Sequence, residues 1–306
     1  MASSETSTRT APDLRLLRSV METPLLDERK WAKIPQIPAD AFIIDLEDSV
    51  VPAQKELGRT RAVEALAQPD FFGTSLVFAR ANNLATPWGR EDIAAFAEAG
   101  VEFMLYPKAQ SLAEVESVLE LLDEHGSTAQ LLPIIETAGA LRDVGQIALL
   151  PRVAGLYTGI GDMSVDAGVP FYIDGEINPV LSRARDSVAF AAAAGRVAST
   201  DTVYARDLRN QADVLDAIKE GRSRGFTTLV SFYPPHIPLI NEHLLPAEDE
   251  LADARWVVEV YEAAQQDGRP AVATEDGRTI LLLDYTRAQQ TLARASAEVP
   301  KREASA

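Results

Sequence analysis

"LLPIIETAGAL", residues 131–141, decides how the chain is read. Leu131, Leu132, Ile134 and Ile135 make a short apolar run of the kind that fills a strand buried on both faces. Thr137, Ala138 and Gly139 then read as a turn into a helix. Between run and turn stands Glu136, an acid where a buried strand stops. It is either a solvated strand end or a ligand held at the mouth of a pocket, and the pattern around it separates the two.

Seven more apolar runs share this form: "LRLLRSVM" (14–21), "AFIIDLED" (41–48), "SLVFARAN" (75–82), "FMLYPKA" (103–109), "VAGLYTGIGD" (153–162), "TDTVYAR" (200–206) and "TTLVSFYP" (227–234). Helical patterns lie between them. In "SLAEVESVLELLDEHG" (111–126), Leu112, Val115, Val118, Leu119 and Leu122 repeat at helical spacing, with Ser111 to cap the start and Gly126 the end. "NPVLSRARDSVAFAAAAG" ends at Gly195, and "RDLRNQADVLDAIKEGRSRG" closes with Gly225. Strand-then-helix, repeated about eight times over ~220 residues, predicts an α/β fold of the (β/α)8, or TIM, barrel type across 14–245. A doubly wound open sheet is the runner-up, but no Gly-x-Gly-x-x-Gly follows the first run. Beyond residue 245 the rhythm changes. An amphipathic helix, a short hairpin in "TEDGRTILLLD" and a last helix after Tyr285 predict a C-terminal helical arm or lid over 246–298. Residues 1–13 and 299–306 read as flexible tails.

Composition narrows the function. Of 306 residues, 29 are Lys or Arg against 46 Asp or Glu, a net charge of −17. That surface argues against nucleic acid as the partner, yet leaves room for a small anion where basic groups or a metal concentrate. Cysteine is absent, which excludes a disulfide framework and a thiolate zinc site. No signal-peptide pattern and no run of ~18 apolar residues is present, so no membrane partner is expected. A cytoplasmic location is compatible with all of this.

In a barrel, chemistry gathers at the carboxyl ends of the strands. Those ends carry Asp45, Glu47 and Asp48, then Arg80, Lys108, Glu136, Asp162, Arg206 and Tyr233. Any one of them is explained as well by a strand reaching solvent; the set is harder to dismiss. Glu136 and Asp162 fall at adjacent strand ends, and two hard oxygen donors completed by water and substrate oxygens suit Mg²⁺. Gly159 and Gly161 in "TGIGD" free the backbone for the carboxylate of a small ligand. Arg80 suits a bidentate grip on a carboxylate. Together these groups predict a 2-oxo acid held on a metal that stabilises charge developing on the oxo oxygen. The acids of "IDLED" need positive partners, which Lys55 and Arg59 on the next helix are placed to supply; the plainer alternative is Asp48 or Ser49 as a helix cap. The three histidines are too scattered for a metal triad, and no Gly-x-Ser-x-Gly is present.

"ADAFIIDLEDSVVPAQKELGR", "VFARANN", "YPKAQS", "PIIETAGAL" and "GLYTGIGDMSVDAG", in this order, resemble the HpcH/HpaI aldolase / citrate lyase family, and within it the citrate lyase beta-subunit-like branch. The resemblance runs from about Arg18 to about Ala295. It implies a (β/α)8 barrel in a homotrimer or homohexamer, with Mg²⁺ on Glu136 and Asp162. It implies Arg80 on the oxo acid, Glu47 and Asp48 as catalytic acids beside the metal's water shell, and Arg18, Lys108, Gly161 and Asp162 in substrate binding. The implied reaction is reversible carbon–carbon cleavage of a malyl- or citramalyl-type acyl-CoA to an acetyl-type thioester and a 2-oxo acid. Three places depart from the family pattern. "RSVMETPL" keeps Arg18 and Ser19 of the usual opening, "SFYPPHI" has Tyr233 for a histidine, and "DGRTILLLD" has Leu281 for an acid, with Asp284 three residues on. The first and third fall where thioester recognition and lid chemistry are expected. They motivate one alternative, a metal-dependent aldolase using a 2-oxo acid without CoA. A second alternative of a different class, since a fold does not fix function, is a non-catalytic barrel subunit, which the intact Glu136, Asp162 and Arg80 argue against.

Overall fold

All eight apolar runs become parallel strands that close into a barrel. The computed structural model describes residues 12–275 and 277–302. Its strands, in chain order, are β1 (Ser19–Glu22), β2 (Ala41–Asp45), β3 (Leu76–Arg80), β4 (Phe103–Tyr106), β5 (Gln130–Ile135), β6 (Gly155–Thr158), the short pair β7 (Tyr172–Ile173) and β8 (Glu176–Ile177), β9 (Ala198–Thr202), β10 (Thr228–Ser231), and the short pair β11 (Val272–Ala273) and β12 (Thr279–Ile280). The barrel order is β1-β10-β9-β6-β5-β4-β3-β2, with β7–β8 and β11–β12 as separate two-stranded hairpins. The α-helices are α1 (Glu28–Trp31), α2 (Lys55–Leu66), α3 (Gly89–Glu98), α4 (Leu112–Glu124), α5 (Ala138–Ile147), α6 (Ile160–Asp166), α7 (Pro179–Gly195), α8 (Gln211–Ser223), α9 (His236–His243), α10 (Glu248–Gln266) and α11 (Leu282–Ser296).

Strand alternation divides the core in two. Inward side chains such as Val20, Ile43, Phe78, Leu105, Leu132 and Tyr157 fill the barrel, where Phe78 and Phe103 meet edge to face at 5.6 Å. Outward ones such as Phe42, Ile44, Met104, Leu131 and Leu156 pack under the helices. This double burial is why the runs read as nearly continuous apolar segments. The helix signals hold as well: Ser111 Oγ accepts the Glu114 N–H at the start of α4, and Gly126 takes a left-handed φ of 66° after its end. Thr137 Oγ1 does the same work at the start of α5, accepting the Ala140 N–H.

Pro133 lies inside β5, where proline removes a ladder donor. The neighbouring strand explains its tolerance. Leu131 bridges Val153, whereas Ile134 pairs with Tyr157, so three steps of β5 face four of β6. The extra residue is a bulge, and it sits opposite Leu132 and Pro133. It also switches which residues point inward: Ala154 packs on the barrel interior below the bulge, Leu156 faces outward and Tyr157 inward above it.

Two boundaries differ from the sequence reading. In the first run only Ser19 onward is strand; Leu14–Leu16 form a 3-10 turn that Asp13 caps by accepting the Arg15 N–H. The last helix begins at Leu282, before Tyr285, because Asp284 in its first turn accepts the Leu281 N–H and fixes the start there. The arm has a small core of its own, including Val257, Tyr261, Ile280 and Ala288, with Tyr261 stacked on Tyr285 at 4.8 Å. Its far end is fastened to the N-terminal mouth of the barrel. Arg294 donates to the carbonyls of Arg15, Leu17 and Thr227, Val299 packs on the barrel interior, and the Arg302 N–H reaches the Thr74 carbonyl. Of the segments read as flexible tails, 299–302 is instead docked on the barrel by these contacts, while 1–11 and 303–306 lie outside the described residues. Among the described residues no helix is long and apolar enough to cross a membrane.

Candidate active site

The C-terminal mouth of the barrel is lined by Glu22, Asp45 and Arg80, the inward residues that end β1, β2 and β3, by Glu136 directly after β5, and by residues of the loops beyond the strands. Arg80, the last residue of β3, is buried with three acids around it. Its Nε donates to Asp45 Oδ1 at 2.5 Å and its Nη2 to Glu22 Oε1 at 2.9 Å, while Nη1 stands 3.6 Å from Glu47 Oε2. Asp45 also accepts the N–H groups of Glu47 and Ser49, each at 2.8 Å. Burial works to raise the Asp45 carboxyl, but Arg80 and these donors hold it below the usual range. Burial raises Glu47, against the pull of Arg80 and Lys108.

Lys108 follows β4 with a left-handed φ of 51°, a strained value for a residue with a side chain. The turn points its N–H at Glu136 Oε1, 2.6 Å away, and its ammonium into an acidic cluster. That ammonium pairs with Glu47 Oε1, and lies 3.4 Å from Asp48 Oδ1 and 3.7 Å from Asp162 Oδ1. Burial works to lower its pKa, but Glu47, Asp48 and Asp162 together raise it.

Glu136 is the residue that closes β5, and it is buried. Burial, with the charges of Asp162 and Glu47, pushes its carboxyl up to about 8 against the Lys108 N–H. Its side chain lies flat against Gly159, where an added Cβ would stand 2.4 Å from Oε2. Asp162 is in the first turn of α6, half exposed. A Cβ on Gly161 would meet nothing within 4 Å, so that position opens to the mouth.

Six of the expected site residues therefore converge: Arg80, Glu47, Asp48, Lys108, Glu136 and Asp162, with Gly161 beside them. Arg18 does not join them. It precedes β1, at the opposite end of the barrel, and its guanidinium is neutralised by Asp40 through bonds of 2.9 and 2.7 Å; a residue on the entry side of a strand cannot reach the exit side. Lys55 and Arg59 also differ from expectation. Lys55 Nζ donates to the Leu46 and Glu47 carbonyls and to Asn82, and Arg59 binds Glu91 and Asp92. The nearest charge partners of the "DLED" acids are Arg80, which binds Asp45, and Lys108, from two strands away, which reaches Glu47 and Asp48; Lys55 adds its charge without a direct contact to their carboxylates. Neither Asp48 nor Ser49 caps α2, which starts without a side-chain cap. Glu22 is not among the strand-end residues picked out from sequence, and Asp45 is picked out but given no role. Asp45 sat in view inside the "DLED" motif, and Glu22 falls in the opening segment that departs from the family pattern. His236 is structural: Nδ1 meets Ser231 Oγ and Nε2 the Leu208 carbonyl, both at 2.8 Å, pinning the loop after β9 to α9. Tyr233 packs its ring on that histidine at 5.1 Å.

The donor set fits a hard divalent cation. Glu136 and Asp162 offer carboxylate oxygens, and among the described residues Glu136 Oε2 accepts no hydrogen bond. No group of three or more His, Cys, Asp or Glu side chains is arranged to enclose a metal among the described residues. A cation here would take its remaining ligands from water and substrate oxygens, the habit of Mg²⁺.

Fold and site together define a (β/α)8 barrel with an arginine, a lysine and a set of buried carboxylates gathered at its C-terminal mouth. More particularly, the chain belongs to the HpcH/HpaI aldolase/citrate lyase family, which matches residues 18–234. It is 30% identical to (3S)-malyl-CoA thioesterase of Cereibacter sphaeroides over 92% of this chain and 95% of that protein. It is 30% identical to citrate lyase subunit beta of Escherichia coli K12 over 84% of this chain and 86% of that one. Among solved structures it resembles CitE of Mycobacterium tuberculosis in complex with magnesium, acetoacetate and coenzyme A, with a TM-score of 0.78 and 25% identity over 93% of this chain and 100% of that chain.

Proposed function

We propose that the protein is a Mg²⁺-dependent carbon–carbon lyase that cleaves or forms a malyl- or citramalyl-type acyl-CoA, acting as a cytoplasmic homotrimer or homohexamer. The observation that carries this reading is Glu136, held by the Lys108 N–H and Gly159 beside Asp162 at one barrel mouth with Arg80. The relatives named for malyl-CoA and citrate chemistry support it, as does the similar fold solved with magnesium and coenzyme A.

Glu136 and Asp162 would hold the metal. When bound, Mg²⁺ supplies a fixed positive charge for the oxygen on which negative charge develops. Arg80 keeps its Nε and one Nη2 hydrogen on Asp45 and Glu22. Its Nη1 edge, 3.6 Å from Glu47 Oε2 and without a hydrogen bond to it, is the edge the carboxylate of the oxo acid would take. Glu47, with its raised pKa and its contact to Lys108, is placed to take the hydroxyl proton that must leave as the carbon–carbon bond breaks. The electrons of that bond pass to the α-carbon of the departing thioester, which leaves as its enolate and is then protonated at that carbon to give the acetyl-type thioester.

The test incubates enzyme and Mg²⁺ with malyl-CoA or citramalyl-CoA and separates acetyl-CoA from free CoA by chromatography. Acetyl-CoA with a 2-oxo acid is expected, and Glu136→Ala and Asp162→Ala should each abolish it while leaving the fold intact. Arg80→Lys keeps the charge and loses the fork, so kcat/KM should fall by at least about tenfold, equivalent to the ~1.5 kcal/mol of a hydrogen bond to a charged group. Mainly free CoA with malate or citramalate overturns the lyase reading in favour of hydrolysis, the activity named for the Cereibacter relative. Binding of a 2-oxo acid with no turnover of either thioester favours the aldolase without CoA.

A further inference from the structure

Glu22 ends β1 inside the barrel, 6% exposed, and its two oxygens have different surroundings. Oε1 accepts Arg80 Nη2 at 2.9 Å; Oε2 is buried and accepts no hydrogen bond among the described residues. A buried carboxylate oxygen with no donor is unfavourable, and a proton on it removes the unpaired charge. The surroundings favour that proton. Asp45 ends β2, Glu47 and Asp48 follow it, Arg80 faces Glu22 from β3, and the Tyr157 phenol faces it from β6. Glu22, Asp45, Glu47, Asp48, Glu136 and Asp162 are six carboxylates around three cations, Arg80, Lys108 and Lys55, an excess of three negative charges if all are ionised. A divalent cation removes two of them, and an anionic oxo acid would restore one.

We propose that Glu22 is a positioning residue for Arg80 that stands as a neutral acid. It holds the Nη2 corner of the guanidinium through Oε1 and leaves the guanidinium's positive charge for an anionic oxo acid. This rests on the oxo-acid reading given above. Burial, followed by the repulsion of Asp45, Asp48 and Glu47, pushes Glu22 up to about 8 against the pull of Arg80. The sign follows directly. Below that pH Glu22 keeps its proton and ligand affinity is flat. Above it Glu22 ionises, competes with the ligand for Arg80, and affinity falls by up to about tenfold per pH unit.

The experiment is calorimetric titration of pyruvate into Mg²⁺-loaded wild type and Glu22→Gln from about pH 6.5 to about pH 9.5, spanning the shifted titration. The wild-type Kd should be flat and then rise above about pH 8; the Glu22→Gln value should stay flat and lie within about threefold of wild type at neutral pH, since the amide mimics the neutral acid. A second measurement needs no ligand: the infrared difference spectrum between wild type and Glu22→Gln should show a protonated carboxylic acid band that disappears as pH rises through about 8. Parallel wild-type and variant profiles, or no such band, overturn the role of Glu22 and leave the lyase reading standing. A wild type that binds no pyruvate at any pH overturns the oxo-acid reading and this proposal with it.

Discussion

A methyl group on Gly159 would stand 2.4 Å from Glu136 Oε2 and 2.7 Å from its Cβ, distances that force the acid to move. The neighbouring Gly161 has open space at the same place. The two glycines of "TGIGD" thus do different things, although the sequence presents them alike. Gly159→Ala should weaken Mg²⁺ binding at least about tenfold, the effect of ~1.4 kcal/mol lost at one ligand, whereas Gly161→Ala should leave it within about threefold; calorimetry with Mg²⁺ alone separates the two. At this scale the sequence is legible where a polar residue ends a strand, because burial stops there and chemistry begins. Arg80, Lys108 and Glu136 were found that way. Glu22 was missed because an acid at the end of a short strand reads as solvent-facing, and its surroundings are set by other strands, Asp45 of β2, Arg80 of β3 and Tyr157 of β6. Arg18 was misplaced because a motif carries no information about which end of the barrel its side chain faces.

Between elements, the most demanding contact is a buried ion pair far from any motif. Arg185 of α7, 1% exposed, reaches Asp201 of β9, 0% exposed, at 2.6 Å and Glu220 of α8 at 2.6 Å. Its guanidinium also lies over the Tyr204 ring at 5.5 Å and the Phe226 ring at 5.8 Å. Removing the arginine strands a fully buried carboxylate, which costs about 3–5 kcal/mol. Arg185→Met should therefore lower stability by about that much in urea titration, and Asp201→Asn in the same chain should recover a large part of it by removing the stranded charge. A fall below about 1 kcal/mol for the single variant would show that water or Arg224 relieves Asp201. From sequence, α7 is an Ala-rich helix with a charged residue that looks external. Strand and helix identity were readable because they follow from local periodicity; the pair was not, because it depends on how α7, β9 and α8 pack.

For the whole molecule, closure of eight strands follows from a repeat visible along the chain, and the arm follows from the break in that repeat at residue 245. What the arm covers was not visible. Its end is anchored at the N-terminal mouth of its own barrel, while Leu282 and Leu283 are 61% and 55% exposed at the start of α11. On the proposal of a trimer or hexamer, these leucines belong to the contact between subunits. Leu282→Asp with Leu283→Asp should then reduce the mass measured by light scattering while leaving the melting temperature within about 2 °C, because neither side chain is in a core. An unchanged mass would remove these residues from the interface.

The offset beside Pro133 has a consequence that reaches around the ring. A pleated strand has an odd and an even face, and a closed circuit of strands must return to its start with the two faces in phase. The single extra residue of β6 is therefore part of the circuit's arithmetic and cannot be absorbed locally. Without it, Thr158 would occupy the inner face and Gly159 would turn outward, away from Glu136. Length changes in the loops leave that phase untouched, whereas one residue added to or lost from β6 separates the acid from the glycine that seats it, even if every strand still forms.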